Sequence, residues 1–352
     1  MNFASDNVAG ASRPVLDAVI AANGGAESAY GVDAYTKRAE ELLAGVFERD
    51  CAVFLVATGT AANALALSAI SQPWSAIFSH AEAHVLDDEC GAPEMFTGGA
   101  KIVGIPGVAG KFTPAGLEAA LERFPKGVAK AVQPAAVSVS QVTEAGTLYT
   151  LDEIAAIAAT ARRHGMATHL DGARFANALA ALGCTAAEMT WKAGVDVVSF
   201  GATKNGGLAC EAVVIFDKDR AADFQYRRKR SGHTLSKGRL LGAQMVGYLE
   251  NGHWMDNARR ANAAAAALSR GLAEVKGVRL AWPTQANEVF AVLPPPVDAA
   301  LKAAGVRYAP WSSGSLPEGF AIGPQESFAR FVTSFASRDE DVEAILRTAR
   351  GA

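Results

Sequence analysis

The stretch Ala167-Thr168-His169-Leu170-Asp171-Gly172-Ala173-Arg174 contains the most informative pattern in the chain. Its first part, residues 167–170, predicts a short buried strand that runs directly into Asp171. A second predicted strand, residues 196–200, runs toward Lys204, which lies 33 positions after Asp171. Because parallel sheets bind ligands at the carboxyl ends of their strands, Asp171 and Lys204 are candidates for one shared site.

The same alternation of strand and helix extends in both directions from this stretch. Short apolar runs predict further strands at residues 51–57, 75–79, 101–105, 135–142 and 212–216. Helical periodicity between them predicts helices at residues 61–71, 114–124 and 151–164. Strands alternating with helices at this spacing predict an α/β fold with a mainly parallel sheet sandwiched by helices.

The pattern changes near Asn251-Gly252. An Ala-rich helix is predicted at residues 256–275, followed by a helix at 297–304 and a last helix from Arg338. Strands are predicted at residues 278–281, 288–293, 306–308, 320–322 and 331–334. We therefore expect a large domain over residues 1–253, whose N-terminal segment 1–30 reaches the site, and a small C-terminal α+β domain over residues 254–352.

Composition narrows the class of protein. The 352 residues include 33 Lys+Arg and 36 Asp+Glu, and a net charge of −3 argues against a protein built to bind nucleic acid or an acidic membrane. No run approaches the ~18–20 apolar residues of a membrane span, and no signal peptide is visible. The four cysteines form no CxxC pair, so neither a metal site nor a disulfide framework is predicted. A cytoplasmic enzyme is the expectation.

The stretch Thr58-Gly59-Thr60-Ala61-Ala62-Asn63 lies between a predicted strand and a predicted helix. Free N–H groups and the helix dipole make such a junction an anion site, and Gly59 allows close approach to the backbone. The alternative is an ordinary turn with a threonine cap. Taken alone, the pattern does not decide between them.

Asp171 and Lys204 also have ordinary explanations as a helix cap and a solvated lysine. Their occurrence in this order after the anion-binding turn favours a shared ligand over these ordinary explanations. Together the three features match the three ends of pyridoxal 5'-phosphate. The turn suits its phosphate, the carboxylate after a strand suits its ring nitrogen, and the lysine flanked by Gly201, Gly206 and Gly207 suits its aldehyde. By chance, these three features would occur together in one chain much more rarely than any one of them alone.

At this point the chain resembles the fold-type I pyridoxal-phosphate enzymes, and among them the low-specificity L-threonine aldolases of the β-eliminating lyase group. The resemblance covers nearly the whole chain. The stretches that carry it are Ser5-Asp6-Asn7, Ala29-Tyr30-Gly31, Thr58 to Asn63, Ala83-His84, Leu170-Asp171-Gly172-Ala173-Arg174, Lys204 and Arg330-Phe331-Val332-Thr333-Ser334.

The resemblance implies roles toward the cofactor. Lys204 should bond covalently to the aldehyde of pyridoxal 5'-phosphate, and Asp171 should pair with its ring nitrogen. Gly59 and Thr60 should hold the phosphate. His84 should stack over the ring and is a candidate for proton transfer, since imidazole titrates near neutral pH.

The resemblance also implies a substrate site. Ser5, Arg174 and Arg330 should bind the substrate carboxylate, with Arg174 beside the cofactor as well. Tyr30 should lie near the site, contributed by the same or a neighbouring subunit. Lys237 is our choice for a further phosphate ligand within residues 227–239.

The chain departs from the family at two places. Where many relatives have Ser-Gly-Thr, this chain has Thr58-Gly59-Thr60. Relatives often have a second histidine after the strand that here leads into Ser140-Gln141-Val142-Thr143-Glu144, and this chain has none. Gln141 and Thr143 are the candidates to replace it.

The implied activity is retro-aldol cleavage of L-threonine, L-allo-threonine and related β-hydroxy-α-amino acids such as phenylserine, giving glycine and an aldehyde. A homodimer or homotetramer with sites at the subunit interface is expected. An aminotransferase or β-eliminating lyase on the same fold, or a non-catalytic binding protein, stays an alternative. Residues 205–211 lack the arginine that many aminotransferases place after the lysine, which favours the lyase.

The remaining polar features have simpler interpretations. The basic run at residues 226–230 predicts a solvated helix end. A structural role is predicted for His80, His164 and His169, whereas His233 and His253 are expected near the site.

Overall fold

The computed structural model describes residues 1–352. Its larger part is a seven-stranded sheet with helices on both faces. The strands are β1 (Ala52–Val56), β2 (Ser75–His80), β3 (Lys101–Ile105), β4 (Gln133–Ser140), β5 (Ala167–Gly172), β6 (Val197–Gly201) and β7 (Glu211–Ile215). The helices are α1 (Arg13–Ala22), α2 (Ala34–Val46), α3 (Gly59–Ala69), α4 (His84–Asp87), α5 (Ala92–Thr97), α6 (Pro114–Leu121), α7 (Leu151–Arg163), α8 (Phe175–Leu182), α9 (Ala186–Met189), α10 (Phe224–Arg230) and α11 (Arg239–Leu249).

The sheet order is β1-β7-β6-β5-β4-β2-β3. Every neighbouring pair is parallel except those of β7, which runs antiparallel to both β1 and β6. The prediction of a mainly parallel sheet is confirmed. Strands β2, β5, β6 and β7 are buried along their whole length, as expected for a sheet covered on both faces.

The smaller part is a four-stranded antiparallel sheet, order β10-β11-β9-β8, packed against helices. Its elements are α12 (His253–Ala273), β8 (Arg279–Leu280), β9 (Glu288–Leu293), α13 (Pro295–Ala303), β10 (Ala309–Pro310), β11 (Ser327–Val332) and α14 (Asp339–Arg350). Helix α12 contacts both parts, because it packs on α8 as well as on α14 and β9.

Two predicted strands of the smaller part are wrong. Residues 306–308 precede the two-residue strand β10 rather than forming a strand. Residues 320–322 follow a turn at residues 318–319, which is closed by the hydrogen bond from the Phe320 N–H to the Pro317 carbonyl. Phe320 and Ile322 are apolar because they pack against the Trp282 and Phe290 cluster, not because they belong to a ladder.

The N-terminal residues belong to the smaller part's core. Phe3 is buried there; its N–H donates to the Arg307 carbonyl at 2.7 Å, and its carbonyl accepts from the Val332 N–H at 2.8 Å. The chain then passes to the larger part, so that Asp6 and Asn7 reach the site described below.

A cluster of aromatic side chains supports the strand that leads to Lys204. Phe47 lies 5.7 Å from Phe175, 6.0 Å from Phe200 and 5.3 Å from Phe216 between ring centroids. Such tilted and edge-on contacts add stability beyond the burial of apolar area. Because Phe200 is the penultimate residue of β6, the cluster holds the end of that strand in place. No helix of the structure combines the length and apolarity that a membrane crossing requires.

Candidate active site

A cavity of about 330 Å³ opens at the carboxyl ends of the parallel strands. Six of the residues singled out from the sequence line it: Gly59, Thr60, His84, Asp171, Arg174 and Lys204. They lie at or after the carboxyl ends of β1, β2, β5 and β6, and these ends meet at one edge of the sheet because the strands run in the same direction. The shared site predicted for Asp171 and Lys204 is therefore present.

The turn after β1 presents free N–H groups to the cavity. Thr58 caps α3, and its hydroxyl accepts from the Ala61 N–H at 3.1 Å. Gly59 and Thr60 form the first turn of the helix, where a helix supplies no acceptor for the N–H groups. A Cβ placed on Gly59 would meet no atom within 4 Å. The junction thus combines the threonine cap with an open anion-binding site.

Asp171 is buried and held by two donors. Its Oδ2 accepts from the Asn63 side-chain amide at 2.8 Å, and its Oδ1 accepts from the Ala173 N–H at 3.0 Å. The same Asn63 amide nitrogen donates to Glu89 Oε1 at 2.8 Å. The carboxylate is therefore fixed in orientation while each oxygen keeps a lone pair for a cationic ligand.

His84 is oriented by a carboxylate that the sequence did not single out. Its Nδ1 lies 2.9 Å from Glu89 Oε1, and this hydrogen bond raises the pKa of His84. Burial raises the pKa of Glu89, although the hydrogen bonds from His84 and Asn63 offset part of that effect. The pairing leaves Nε2 of His84 as the ring nitrogen available to the cavity.

Lys204 lies in a single turn of 3-10 helix, Thr203–Asn205, immediately after β6. The chain around it has little room for side chains. A Cβ on Gly201 would lie 2.5 Å from the Ala173 carbonyl oxygen, and Gly206 has a φ of 119°. The flanking glycines therefore allow the Lys204 turn to pack directly against the segment that carries Asp171.

Glu211 is a further buried carboxyl group beside Lys204. It begins the antiparallel strand β7, so the amino end of this strand lies at the same edge as the carboxyl ends of its neighbours. Its Oε2 accepts from the Ala202 N–H at 2.7 Å, and burial raises its pKa to about 7.

Arg174 is engaged by two carboxylates. Its Nε and Nη2 donate to Asp6 at 2.7 and 3.2 Å, and its Nη1 lies 3.3 Å from Glu288. Burial alone would lower the pKa of Arg174, but Asp6 and Glu288 outweigh it and raise the pKa. This guanidinium therefore has few donors left for a ligand.

Arg330 is bound much more loosely. Its Nη1 lies 3.9 Å from Glu288 Oε1, its Nη2 is 3.5 Å from the Ala4 carbonyl, and its Nε has no hydrogen-bond partner. Its guanidinium carbon lies 4.5 Å from the centre of the Trp311 ring. Arg330 is thus the arginine of the pair with free donors.

Breaking the Asp6–Arg174 pair should destabilise the fold. Burial raises the pKa of Asp6, but Arg174, Lys204 and the hydrogen bonds from Arg174 and Asn287 outweigh it, so the pKa lies below its ordinary value of 3.8. We expect Asp6→Asn to lower the free energy of unfolding by about 3 kcal/mol, because a buried charge loses its partner.

The expected loss should have a defined dependence on pH. Because its pKa is lowered, ionised Asp6 stabilises the fold at pH values above 3.8, and this contribution is lost as the pH falls through the folded-state pKa. The difference in unfolding free energy between wild type and Asp6→Asn should therefore stay constant between about pH 5 and pH 7. Urea unfolding of both proteins across this range measures it. Equal stabilities would contradict the role given to the pair.

Four residues expected at the substrate or phosphate end do not line this cavity: Ser5, Tyr30, Arg330 and Lys237. Ser5 lies one turn away, where its hydroxyl accepts from the Asn7 N–H at 3.1 Å, and Asn7 lines the cavity instead. Tyr30 is 53% exposed, and its N–H donates to the Ser236 carbonyl at 2.9 Å, beside the exposed Lys237. Tyr30 and Lys237 therefore lie together on the surface of this chain.

The other histidines stay outside the cavity. His233 packs 5.8 Å from Phe96 and His253 contacts Asn257, so neither of these two histidines lines the cavity. His169 has the structural role predicted for it. It is fully buried between Ser138 and Ser199, at 2.9 Å from each hydroxyl, and burial lowers its pKa to about 4.

The basic run at residues 226–230 does end helix α10, but Arg228 turns inward. Its Nη1 donates to the Leu55 carbonyl at 3.4 Å, and its guanidinium lies 5.4 Å from the centre of the Phe54 ring. The prediction of a fully solvated helix end is wrong for this residue.

Several polar residues of the site were missed in the sequence: Asn63, Glu89, Glu144, Glu211 and Glu288. Asn63 is the last residue of the predicted anion-binding turn, and no further role was predicted for it. The four glutamates carry no local signal, because nothing near them in the sequence distinguishes a buried carboxyl group from a solvated one. Glu144 follows β4, and Glu211 and Glu288 begin β7 and β9, but a position next to a strand does not by itself show that a carboxyl group is buried.

The sheet order, the small antiparallel domain and the lysine after β6 define the chain as a fold-type I protein of the pyridoxal-phosphate-dependent class. The sequence model of the beta-eliminating lyase family matches residues 2–294, and the chain belongs to this family.

The relatives agree with this assignment. The chain is 43% identical to a low specificity L-threonine aldolase of Pseudomonas aeruginosa over 99% of its length and 96% of the relative's. It is 45% identical to a low specificity L-threonine aldolase of Pseudomonas sp., over 87% of this chain and 88% of the relative's. Among solved structures, a threonine aldolase of Leishmania major superposes with a TM-score of 0.91 at 29% identity, covering 99% and 98% of the two chains.

Proposed function

We propose that this protein cleaves L-threonine, L-allo-threonine and related β-hydroxy-α-amino acids to glycine and an aldehyde, with pyridoxal 5'-phosphate as cofactor. One observation carries the proposal. Gly59 and Thr60, Asp171 and Lys204 line a single cavity in a chain that matches a low specificity L-threonine aldolase along its whole length.

The residues present fit this cofactor. The free N–H groups of Gly59 and Thr60 suit a phosphate, and the fixed carboxylate of Asp171 suits a protonated ring nitrogen. The Lys204 amine suits the aldehyde. When bound, pyridoxal phosphate supplies the electron sink that breaking a bond at Cα requires.

His84 has two tasks in this proposal. Its ring, oriented by Glu89, would cover one face of the bound cofactor, and its charge state responds to that carboxylate. A histidine held in this way shields the reacting bond from water and can exchange a proton with groups in the cavity.

Arg330 is proposed to bind the substrate carboxylate, with Arg174 holding the surrounding carboxylates in place and Ser5 positioning Asn7. A bidentate arginine fixes the amino acid in one orientation, and this orientation decides which bond at Cα is broken. Arg330 suits the task because its guanidinium makes one long hydrogen bond, at 3.5 Å to the Ala4 carbonyl, whereas the donors of Arg174 are occupied by Asp6 and Glu288.

This role makes a specific prediction for binding. Arg330→Ala should raise KM for L-threonine about 10- to 100-fold with a much smaller change in kcat, because hydrogen bonds to a charged group are worth about 1.5–3 kcal/mol. The matched control is Arg279→Ala, which removes an exposed arginine paired with Glu326. An unchanged KM for Arg330→Ala would exclude this residue from the substrate site.

Tyr30 and Lys237 are proposed to complete the site of a neighbouring subunit in a homodimer or homotetramer. Their joint position on the surface supports this role, with the Lys229 ammonium 4.9 Å from the centre of the Tyr30 ring. The mass of the protein in solution tests the proposal, and a monomer with full activity would exclude it.

Release of acetaldehyde from L-threonine by the cofactor-loaded protein tests the activity. Glycine formed in equal amount would support the retro-aldol reaction. A cofactor-loaded protein that releases no aldehyde from threonine, allo-threonine or phenylserine would instead favour an aminotransferase or elimination reaction.

A further inference from the structure

Glu144 is a carboxyl group in the wall of the cavity to which the sequence assigned no role. Its Oε1 accepts two hydrogen bonds, from the His84 N–H and from the Ser140 hydroxyl, both at 2.8 Å. Its Oε2 is shielded from solvent and has no hydrogen-bond partner. One oxygen is thus fully occupied, while the other is free to accept a proton from a molecule in the cavity.

The two candidates named from the sequence for this position are turned away. The Gln141 side chain is fully buried and forms two hydrogen bonds with the backbone of Tyr149, at 2.9 and 3.0 Å. The Thr143 hydroxyl lies 2.8 Å from that of Thr147. Neither residue lines the cavity, so Glu144 is the polar side chain of residues 141–144 that does.

His84 is another group in the cavity that could accept a proton, but its surroundings favour the protonated state. The hydrogen bond from Nδ1 to Glu89 raises the pKa of His84, so the ring keeps its proton to higher pH. A protonated imidazole has no free lone pair and can only donate. His84 therefore suits the covering of the cofactor better than the uptake of a proton.

The surroundings of Glu144 favour proton exchange near neutral pH. Burial raises the pKa of Glu144 to about 7, against the opposing hydrogen bonds from His84 and Ser140. The charged groups that face it are Asp171, whose negative charge adds to the increase, and the Arg174 guanidinium. General bases act best when their pKa lies near the working pH.

We infer that Glu144 Oε2 is the base that removes the proton from the substrate's β-hydroxyl group. The inference rests on the proposed aldol cleavage. As the O–H bond breaks, its electron pair forms the carbonyl of the departing aldehyde, and the Cα–Cβ pair passes into the bound cofactor. The proton stays on Glu144 until it is released to water. In the reverse direction the protonated carboxyl group returns it to the aldehyde oxygen.

Glu144→Gln tests this role with little disturbance, because the glutamine oxygen can still accept from the His84 N–H and the Ser140 hydroxyl. With cofactor bound, we expect kcat for L-threonine to fall by about 10²- to 10⁴-fold, the usual contribution of a general base. Exchange of the glycine α-proton with deuterated water should stay within about threefold of the wild-type rate, because glycine has no β-hydroxyl group.

The controls separate a catalytic from a structural role. Glu118→Gln, at a surface carboxylate paired with Arg163, should behave like wild type in both assays. Glu144→Asp keeps an ionisable group and should recover part of the lost rate. Without cofactor, the infrared difference between wild type and Glu144→Gln should contain a carboxylic-acid stretch that disappears as pH rises through about 7.

Two results would overturn the inference while leaving the aldolase activity intact. One is a Glu144→Gln protein that cleaves threonine at the wild-type rate. The other is an equal loss of cleavage and of glycine exchange, which would mean that Glu144 supports the site as a whole. A wild-type protein that releases no aldehyde would instead refute the proposed function itself.

Discussion

Lys204→Ala is expected to abolish turnover of L-threonine, with kcat falling by more than about 10³-fold. The Lys204 amine is the group proposed to bond to the cofactor and to release the product, and no other lysine lines the cavity to replace it. Borohydride treatment followed by peptide mapping should find the cofactor on the peptide that contains Lys204 in the wild-type protein. The variant should carry no such modification.

The matched control for this prediction is Lys192→Ala. Lys192 is a half-exposed lysine that pairs with Glu48 at 3.0 Å, far from the strand ends that form the cavity. Its removal should leave both the modification and the turnover unchanged. A Lys204→Ala protein that keeps its visible absorption and its labelling would remove Lys204 from the proposed role.

Asp171→Asn is expected to lower kcat by about 10²-fold or more while the cofactor stays bound. Asparagine has nearly the same shape but lacks the negative charge that keeps a pyridine nitrogen protonated, so the electron sink weakens. Cofactor absorption and acetaldehyde release, measured on the same sample, separate binding from turnover.

The same substitution should also have a structural cost. Asp171 accepts from both Asn63 and Ala173, and asparagine has one oxygen for these two donors. An unmatched buried donor costs about 1–3 kcal/mol, so the melting temperature without cofactor should fall as well. Asp152→Asn, on the exposed first turn of α7, is the control and should change neither property. Full activity in Asp171→Asn would refute its role.

Most of the large sheet could be predicted because its signal is local. Strand β3 lies at residues 101–105, where the apolar run indicated it, and strand β2 at residues 75–80 is one residue longer than predicted. Helix α7 begins at Leu151, as expected from helical periodicity, and its first turn is closed by a capping box between Thr150 and Glu153. In each case the pattern that stabilises the element lies within the element itself.

The small domain was predicted less well because its apolar residues serve other purposes. Phe320 and Ile322 have the composition of a short strand, but Pro317 and Gly319 turn the chain and direct these side chains into a neighbouring cluster. A two-residue strand such as β10 has no pattern of its own, since it exists only through its pairing with β11.

The predicted site residues also fall into two groups, those indicated by a local pattern and those named by resemblance alone. Asp171, Lys204 and the Thr58–Thr60 turn could be found from the sequence because each follows a strand directly, and parallel strands end at a common edge. Tyr30 and Lys237 were named by resemblance alone, and the folded chain places them together away from the cavity.

The sequence alone thus determined the fold class and the residues proposed to hold the cofactor, because strand ends and glycine-flanked turns are local features. Only the tertiary structure decided which carboxyl groups surround them. Glu89 meets His84 and Asn63, Glu144 meets the His84 backbone 60 positions away, and Asp6 meets Arg174 across 168 positions. A carboxyl group gains its pKa and its partners from burial between distant elements, and no local pattern records which elements will enclose it.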